Sequence, residues 1–268
     1  PYARGLPYGV HGPAEVVASA PFDPGDWRPR PLTECTIYEL HIGTFTPEGT
    51  FAAAAARLPA LAELGITAIE ILPLSSFSGR RGWGYDGVAH FAPHAAYGPA
   101  DDLRALVAAA HRLGLNVLLD VVYNHFGPEG NYLGAYSQGY FARDIPTPWG
   151  QALNFGAPAM RRLVLDNARY WLTEFGFDGL RLDATHAMLD RSGRTILREL
   201  VDEVRALGRG HILIAEDETI HPDLVHKTGL AALWADDFHH IVHLLLTGER
   251  DGYYNEYEPT LAALARCI

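Results

Sequence analysis

Short runs that are apolar almost without interruption recur along this chain, each followed by a stretch with helical patterning, and this alternation limits the possible folds more than any other feature. Cys35 to Ile42 (CTIYELHI), Ala68 to Leu72 (AIEIL), Asn116 to Val122 (NVLLDVV), Phe177 to Asp183, His211 to Glu216 (HILIAE) and Gly229 to Trp234 read as strands. Thr50 to Leu64, Pro99 to Leu113, Ala157 to Phe175 and Ser192 to Leu207 read as the intervening helices. Gly65 and Gly114 supply stops, Pro99 with Asp101 and Asp102 supplies a start, and Pro59 is expected to kink the first helix. Strands apolar on both faces call for a parallel sheet covered by helices. A doubly wound sheet would place a Gly-rich phosphate turn after the first strand, where HIGTFTPEGT stands instead. Asp120, Asp183 and Glu216 all fall at the carboxyl ends of strands, the edge at which barrel active sites lie. The expected fold class is therefore α/β, a (β/α)8 TIM barrel.

At 268 residues and 48% hydrophobic, the chain can bury one large core. A net charge of -11 argues against a nucleic-acid or anionic-membrane partner and is compatible with a neutral substrate. Cys35 and Cys267 lie almost a chain length apart, so neither a disulfide framework nor a zinc spacing is expected. No cofactor and no metal is expected, and there is no acidic cluster with EF-hand spacing. No apolar run approaches the roughly 18 to 20 residues needed to span a bilayer. A cytoplasmic location is expected, while the opening at Pro1 rather than Met leaves a removed leader open. Residues 1–33 are dense in Pro and Gly and read as a linker or domain junction laid over the surface of the barrel domain that follows, 34–268.

The candidate chemistry centres on Arg181-Leu182-Asp183. Side chains two apart on a strand share a face, so Arg181 stands beside Asp183, and an arginine beside a carboxylate keeps it ionised, as a nucleophile requires. Glu216 ends an apolar strand, where partial burial would raise its pKa toward that of a general acid. Two such carboxylates suffice to hydrolyse a glycosidic bond. Asn124 and His125 follow the third strand, and Trp83, Tyr85, Tyr123 and Tyr132 fall in loops of the same rim, where aromatic faces pack on sugar rings.

WGYDG (Trp83 to Gly87), DVVYNH (Asp120 to His125), GLRLDATH (Gly179 to His186) and IAED (Ile214 to Asp217) together resemble the motifs of the α-amylase family, glycoside hydrolase family 13. The resemblance implies a retaining glycosidase with Asp183 as nucleophile, Glu216 as general acid/base, Arg181 beside the nucleophile and Asp120 as electrostatic support. It implies that His125 and Tyr85 hold the sugar at the cleavage point, and that Trp83, Asp86, Asn124, His186 and Asp237 belong to the substrate-binding set. VHGPAEVV (Val10 to Val17), DVVYNHFGPEGNYL, LDATHAMLD and WADDFHH (Trp234 to His240) resemble the branch of that family acting on maltooligosyltrehalose. The implied reaction is hydrolysis of the α-1,4 bond next to the terminal trehalose unit, with release of trehalose. A glycogen branching or other α-1,4-glucan-active enzyme is the alternative within catalysis, and a catalytically silent glucan-binding module the alternative outside it. The family's fourth region, an Asn-His-Asp run on the seventh strand, has no counterpart after Trp234. An incomplete barrel, cut before its seventh and eighth strands, is the expectation.

Overall fold

The computed structural model describes residues 2–18, 21–147, 150–218 and 220–267. Six strands form one parallel sheet in chain order: β1 (Ile37–Leu40), β2 (Ala68–Ile71), β3 (Asn116–Val121), β4 (Gly179–Leu182), β5 (Ile212–Asp217) and β6 (Ala232–Ala235). The sheet curls as an incomplete (β/α)8 barrel. Helices α1 (Phe51–Glu63), α2 (Ala100–Arg112), α3 (Pro158–Glu174) and α4 (Ile196–Arg205) connect successive strands, and α5 (Asp236–Thr247) follows β6. The strands are apolar on both faces because each face has work to do. Ile69, Ile71, Val117, Leu119, Leu180, Leu182 and Leu213 enter the main core between sheet and helices, whereas Leu118, Ile212 and Ile214 form a separate cluster with Ile37, Ala232 and Trp234 on the barrel-interior face.

Local chemistry explains where the elements depart from the periodicity. β1 stops at Leu40 rather than Ile42 because His41 begins a single helical turn, Ile42–Phe45. α4 does not begin at Ser192. Asp190 accepts hydrogen bonds from the backbone N–H groups of Ser192 (2.9 Å) and Ile196 (2.6 Å), and Thr195 caps the helix. β6 begins at Ala232 rather than Gly229, because Gly229 takes φ 87° and closes the preceding turn. Pro59 lies inside α1 without ending it. Two short antiparallel ladders escaped the reading of periodicity: Ser75–Ser76 with Ala89–Pro93, and Phe141–Thr147 with Gly150–Leu153. Both lie in connections that leave the carboxyl ends of β2 and β3.

Residues before β1 are fastened along the body. Leu6 and Val10 pack with Val88, Ala89 and Ala92 in a small core of their own. Farther on, the Trp27 indole stacks on His111 with ring centroids 4.4 Å apart and donates to Asp178 Oδ1 at 2.8 Å. Asp178 Oδ2 accepts from the Val117 backbone at 2.8 Å and lies 2.9 Å from His111 Nε2. One buried carboxylate thus ties the leading segment, α2 and β3 together at the amino end of β4. No helix among the described residues is long and apolar enough to cross a membrane.

Removing the carboxyl of Asp178 leaves buried donors on three elements without an acceptor, at about 1–3 kcal/mol for each unsatisfied group. Asp178→Ala is expected to destabilise the full-length protein by about 3–5 kcal/mol, short of the simple sum because neighbours relax. Thermal and denaturant melts check this, and a loss below about 1 kcal/mol would show that the knot is not a structural anchor.

Candidate active site

The register of the sheet brings the candidate residues together. Asp120 on β3 stands opposite Arg181 on β4, and Arg181 stands opposite Ile214 on β5, two residues before Glu216. Alternation then puts Asp120, Arg181, Asp183, Ile214 and Glu216 on the barrel-interior face. Gly179 makes the close pairing of β4 and β5 possible: a Cβ there would fall 2.3 Å from the carbonyl oxygen of Ile212.

Arg181 is the hub. Its Nη1 donates at 2.9 Å to each oxygen of Asp120 and at 2.8 Å to Asp183 Oδ1, and its Nη2 lies 3.4 Å from Glu216 Oε2. All four side chains are largely buried, with side-chain exposures of 12% for Arg181, 2% for Asp120, 14% for Asp183 and 15% for Glu216. Ion pairs sheltered to this degree are far less screened than surface pairs. Each carboxylate also has a donor of its own. Tyr85 OH donates to Asp120 Oδ2 at 2.7 Å, Asn124 Nδ2 reaches Asp183 Oδ2 at 2.8 Å, and the Ala184 N–H donates to Glu216 Oε2 at 2.6 Å.

Burial pushes Asp120 up to about 7, against the opposing pull of Arg181 and of the Tyr85 hydroxyl, while Asp183 adds to the rise. Burial also raises Glu216, with Arg181 and the Ala184 N–H pulling it down and Asp236 and Asp183 pushing it further up. A carboxyl raised in this way holds a proton to higher pH and can deliver it to a leaving group.

The other predicted residues spread around this centre. His125 is buried with Nε2 at 2.9 Å from the Tyr85 carbonyl oxygen, and its Nδ1 lies against Asn124 Oδ1. Burial lowers its pKa, so the neutral ring is favoured. Asn124 is committed to Asp183, through both the carboxylate and the backbone carbonyl. Asp86 is exposed beside His125, and the loop that carries it approaches so closely that a Cβ on Gly127 would fall 2.0 Å from its carbonyl oxygen. Trp83 is 64% exposed and borders a cleft of about 550 Å³ shared with His41, Arg80, Arg81 and Tyr97. His186 pairs with Glu218 at 3.1 Å.

Tyr123 does not stand on the rim. It is buried, and its OH donates to Asn167 of α3 at 2.8 Å, because it continues the helix-facing side of β3 set by Val117, Leu119 and Val121. Tyr132 is half exposed and its OH lies 2.7 Å from His11. Asp237 turns toward the Cys267 thiol, while its neighbour Asp236 contributes to the field at Glu216 and lies 3.2 Å from His239. The register explains the choice: two residues beyond Trp234, which stands opposite Glu216, Asp236 falls on that residue's side. Glu70, on the same interior face, is a buried carboxyl that the motifs do not mark. Among the described residues the one grouping with metal-ligand geometry is Asp236, His239 and His240, whose candidate ligand atoms lie within 4.8 Å of one another.

Residues 41–139 match the α-amylase family, by its description "Alpha amylase, catalytic domain". The whole chain is 56% identical to a malto-oligosyltrehalose trehalohydrolase of Deinococcus radiodurans, of which it covers 45%. A protein of the same name from Saccharolobus solfataricus is 46% identical over 96% of the chain, and 47% of that relative is covered. A crystal structure titled as a putative α-amylase from Salmonella typhimurium superposes with a TM-score of 0.92 at 42% identity, over 99% of this chain and 47% of that one. The chain thus spans about half the length of the curated relatives it matches.

The turn after Asp183 carries backbone strain. Ala184 sits at φ 43° and ψ 59°, the left-handed region, and this conformation aims its N–H at Glu216. An L-residue there costs roughly 1–2 kcal/mol, and more when branched at Cβ. Ala184→Val is expected to destabilise the protein by a further 1–3 kcal/mol or so, whereas Ala184→Gly is expected to cost nearly nothing. Paired melting curves of the two variants check the order, and equal losses would show that the strain is not real.

Proposed function

We propose, for a chain that belongs to the α-amylase family, that Asp183 and Glu216 cleave an α-1,4-glucosidic bond with retention of configuration. The observation that carries the reading is the Arg181 guanidinium, which holds Asp120 and Asp183 through Nη1 and faces Glu216 through Nη2. The name shared by the relatives supplies the substrate, maltooligosyltrehalose, cut next to its terminal trehalose unit. The catalytic domain in this reading begins near residue 34, with residues 1–33 as the junction laid over it.

In the first step an oxygen of Asp183 attacks the anomeric carbon of the glucose before the trehalose unit. The bond from that carbon to the glycosidic oxygen breaks, Glu216 gives its proton to that oxygen, and trehalose leaves. Glu216, now a carboxylate, takes a proton from water in the second step. The resulting hydroxide displaces Asp183 from the anomeric carbon, which restores both carboxyl groups and, after two inversions, the original configuration. Arg181 and Asn124 aim Asp183 and Tyr85 keeps Asp120 in place, so the groups need little reorganisation as charge develops. His125 and Tyr85 border the reacting sugar in this reading, and Trp83, Asp86 and His186 extend the binding surface.

Asp183→Ala in the full-length protein is expected to lower kcat by roughly 10⁴-fold or more on maltooligosyltrehalose while leaving KM within a few fold. Product analysis separates the readings: trehalose and a newly released reducing end that is first α, for the proposed hydrolase; new branches, for a glucan-branching enzyme; binding without turnover, for a silent module. Turnover of the variant within tenfold of wild type would refute the assignment of Asp183.

A further inference from the structure

One buried carboxyl near the site has no part in the reaction just described. Glu70, on β2, is 1% exposed, and its Oε2 has no hydrogen-bond partner among the described residues. The register places it. Glu70 stands opposite Glu39 on β1 and Leu118 on β3, and Asp120, two residues beyond Leu118, stands opposite Arg181 on β4. Glu70 therefore shares the interior face with Asp120 and Arg181, one layer nearer the amino ends of the strands. The Nε of Arg181 is likewise buried and without a partner, although both of its Nη atoms face carboxylates.

An ionised Glu70 would be costly at this position for two reasons. A buried carboxylate needs donors, and Oε2 has none. It would also add another negative charge to the three carboxylates that already share one guanidinium. The neutral acid avoids both costs.

We propose that Glu70 is a positioning residue for the site, a neutral carboxyl that fills the layer beneath Asp120 and Arg181 and leaves the guanidinium charge to the carboxylates above it. The groups facing it from the neighbouring strands are Glu39 on β1, Asp120 on β3 and Arg181 on β4. Burial, reinforced by Asp120 and by Glu39, pushes Glu70 up to about 8, with Arg181 pulling the other way. Above that pH the ionised carboxylate competes for the charge of Arg181, and the hold on Asp183 and Glu216 loosens.

The inference rests on Asp183 and Glu216 as the acting pair, so its test has one catalytic and one non-catalytic readout, both in the full-length protein. Glu70→Gln cannot ionise. It is expected to keep kcat/KM on maltooligosyltrehalose within about threefold at neutral pH, and to move the alkaline limb of the profile up by about one pH unit or more. An alkaline limb that coincides with wild type would assign that limb to Glu216 alone and overturn the proposal. A loss above tenfold at neutral pH would show that the charge of Glu70 is needed, and would overturn it equally.

The second readout is melting against pH. With a folded pKa above the unfolded one, Glu70 keeps a proton in the native state that the unfolded chain has released. Its contribution to stability is full at low pH and is lost as pH rises from about 4.5 through about 8. The Tm of wild type should fall relative to Glu70→Gln across that window, and parallel curves would overturn the proposal. This readout needs no substrate, so it stands or falls apart from the assigned reaction. Glu70→Met, of similar volume and equally unable to ionise, repeats both measurements if the amide is not tolerated, with the same outcomes deciding.

Discussion

A single guanidinium is the interaction on which the rest of the site depends. Arg181 holds Asp120 and Asp183 and faces Glu216, carboxylates that would otherwise repel one another in a water-poor setting. Without this cation, three carboxylates packed this closely away from water would have no opposing charge. The protein supports the hub with neutral donors rather than with more charge: the Tyr85 hydroxyl, the Asn124 amide and the Ala184 N–H each satisfy one carboxyl oxygen. Neutral donors orient a carboxylate without adding a second cation that would have to be desolvated.

The hub works because the sheet delivers its members at fixed spacing. Parallel register sets Asp120 against Arg181, and strand alternation sends both side chains to the interior face. The opposite face of the same strands binds α1 to α4 through Ile71, Leu119, Leu182 and their neighbours. The candidate site sits at the carboxyl edge, while fastening sits at the amino edge, where Asp178 joins Trp27, His111 and Val117. Among the described residues the one left-handed residue other than glycine is Ala184, at the carboxyl edge, and it aims its N–H at Glu216.

Periodicity marks all six strands and the helices between them, because apolar runs and Gly or Pro punctuation record burial directly. It misplaces the ends of β1, α4 and β6, where a side chain or a left-handed glycine competes with the ladder: His41, Asp190 and Gly229. It misses the two short antiparallel ladders, whose few residues carry too little alternation to register. The dyad of Asp183 and Glu216 and its arginine are legible from motif and strand position. Tyr123 is misread at the level of motif, although alternation decides it: Val117, Leu119, Val121 and Tyr123 share the helix-facing side opposite Asp120.

What the sequence determined by itself is the class of fold, the placing of acids at strand ends and the pairing of an arginine with an aspartate two residues away. These follow from local hydrophobicity and from the fixed geometry of a strand. What only the tertiary structure decided is which polar groups converge from distant segments. Asn124 reaches Asp183, Tyr85 reaches Asp120, Asp236 rather than Asp237 acts on Glu216, and Glu70 lies beneath Arg181. The physical reason is that such contacts depend on the register between neighbouring strands and on the course of long connections, and both are set by packing across the whole sheet.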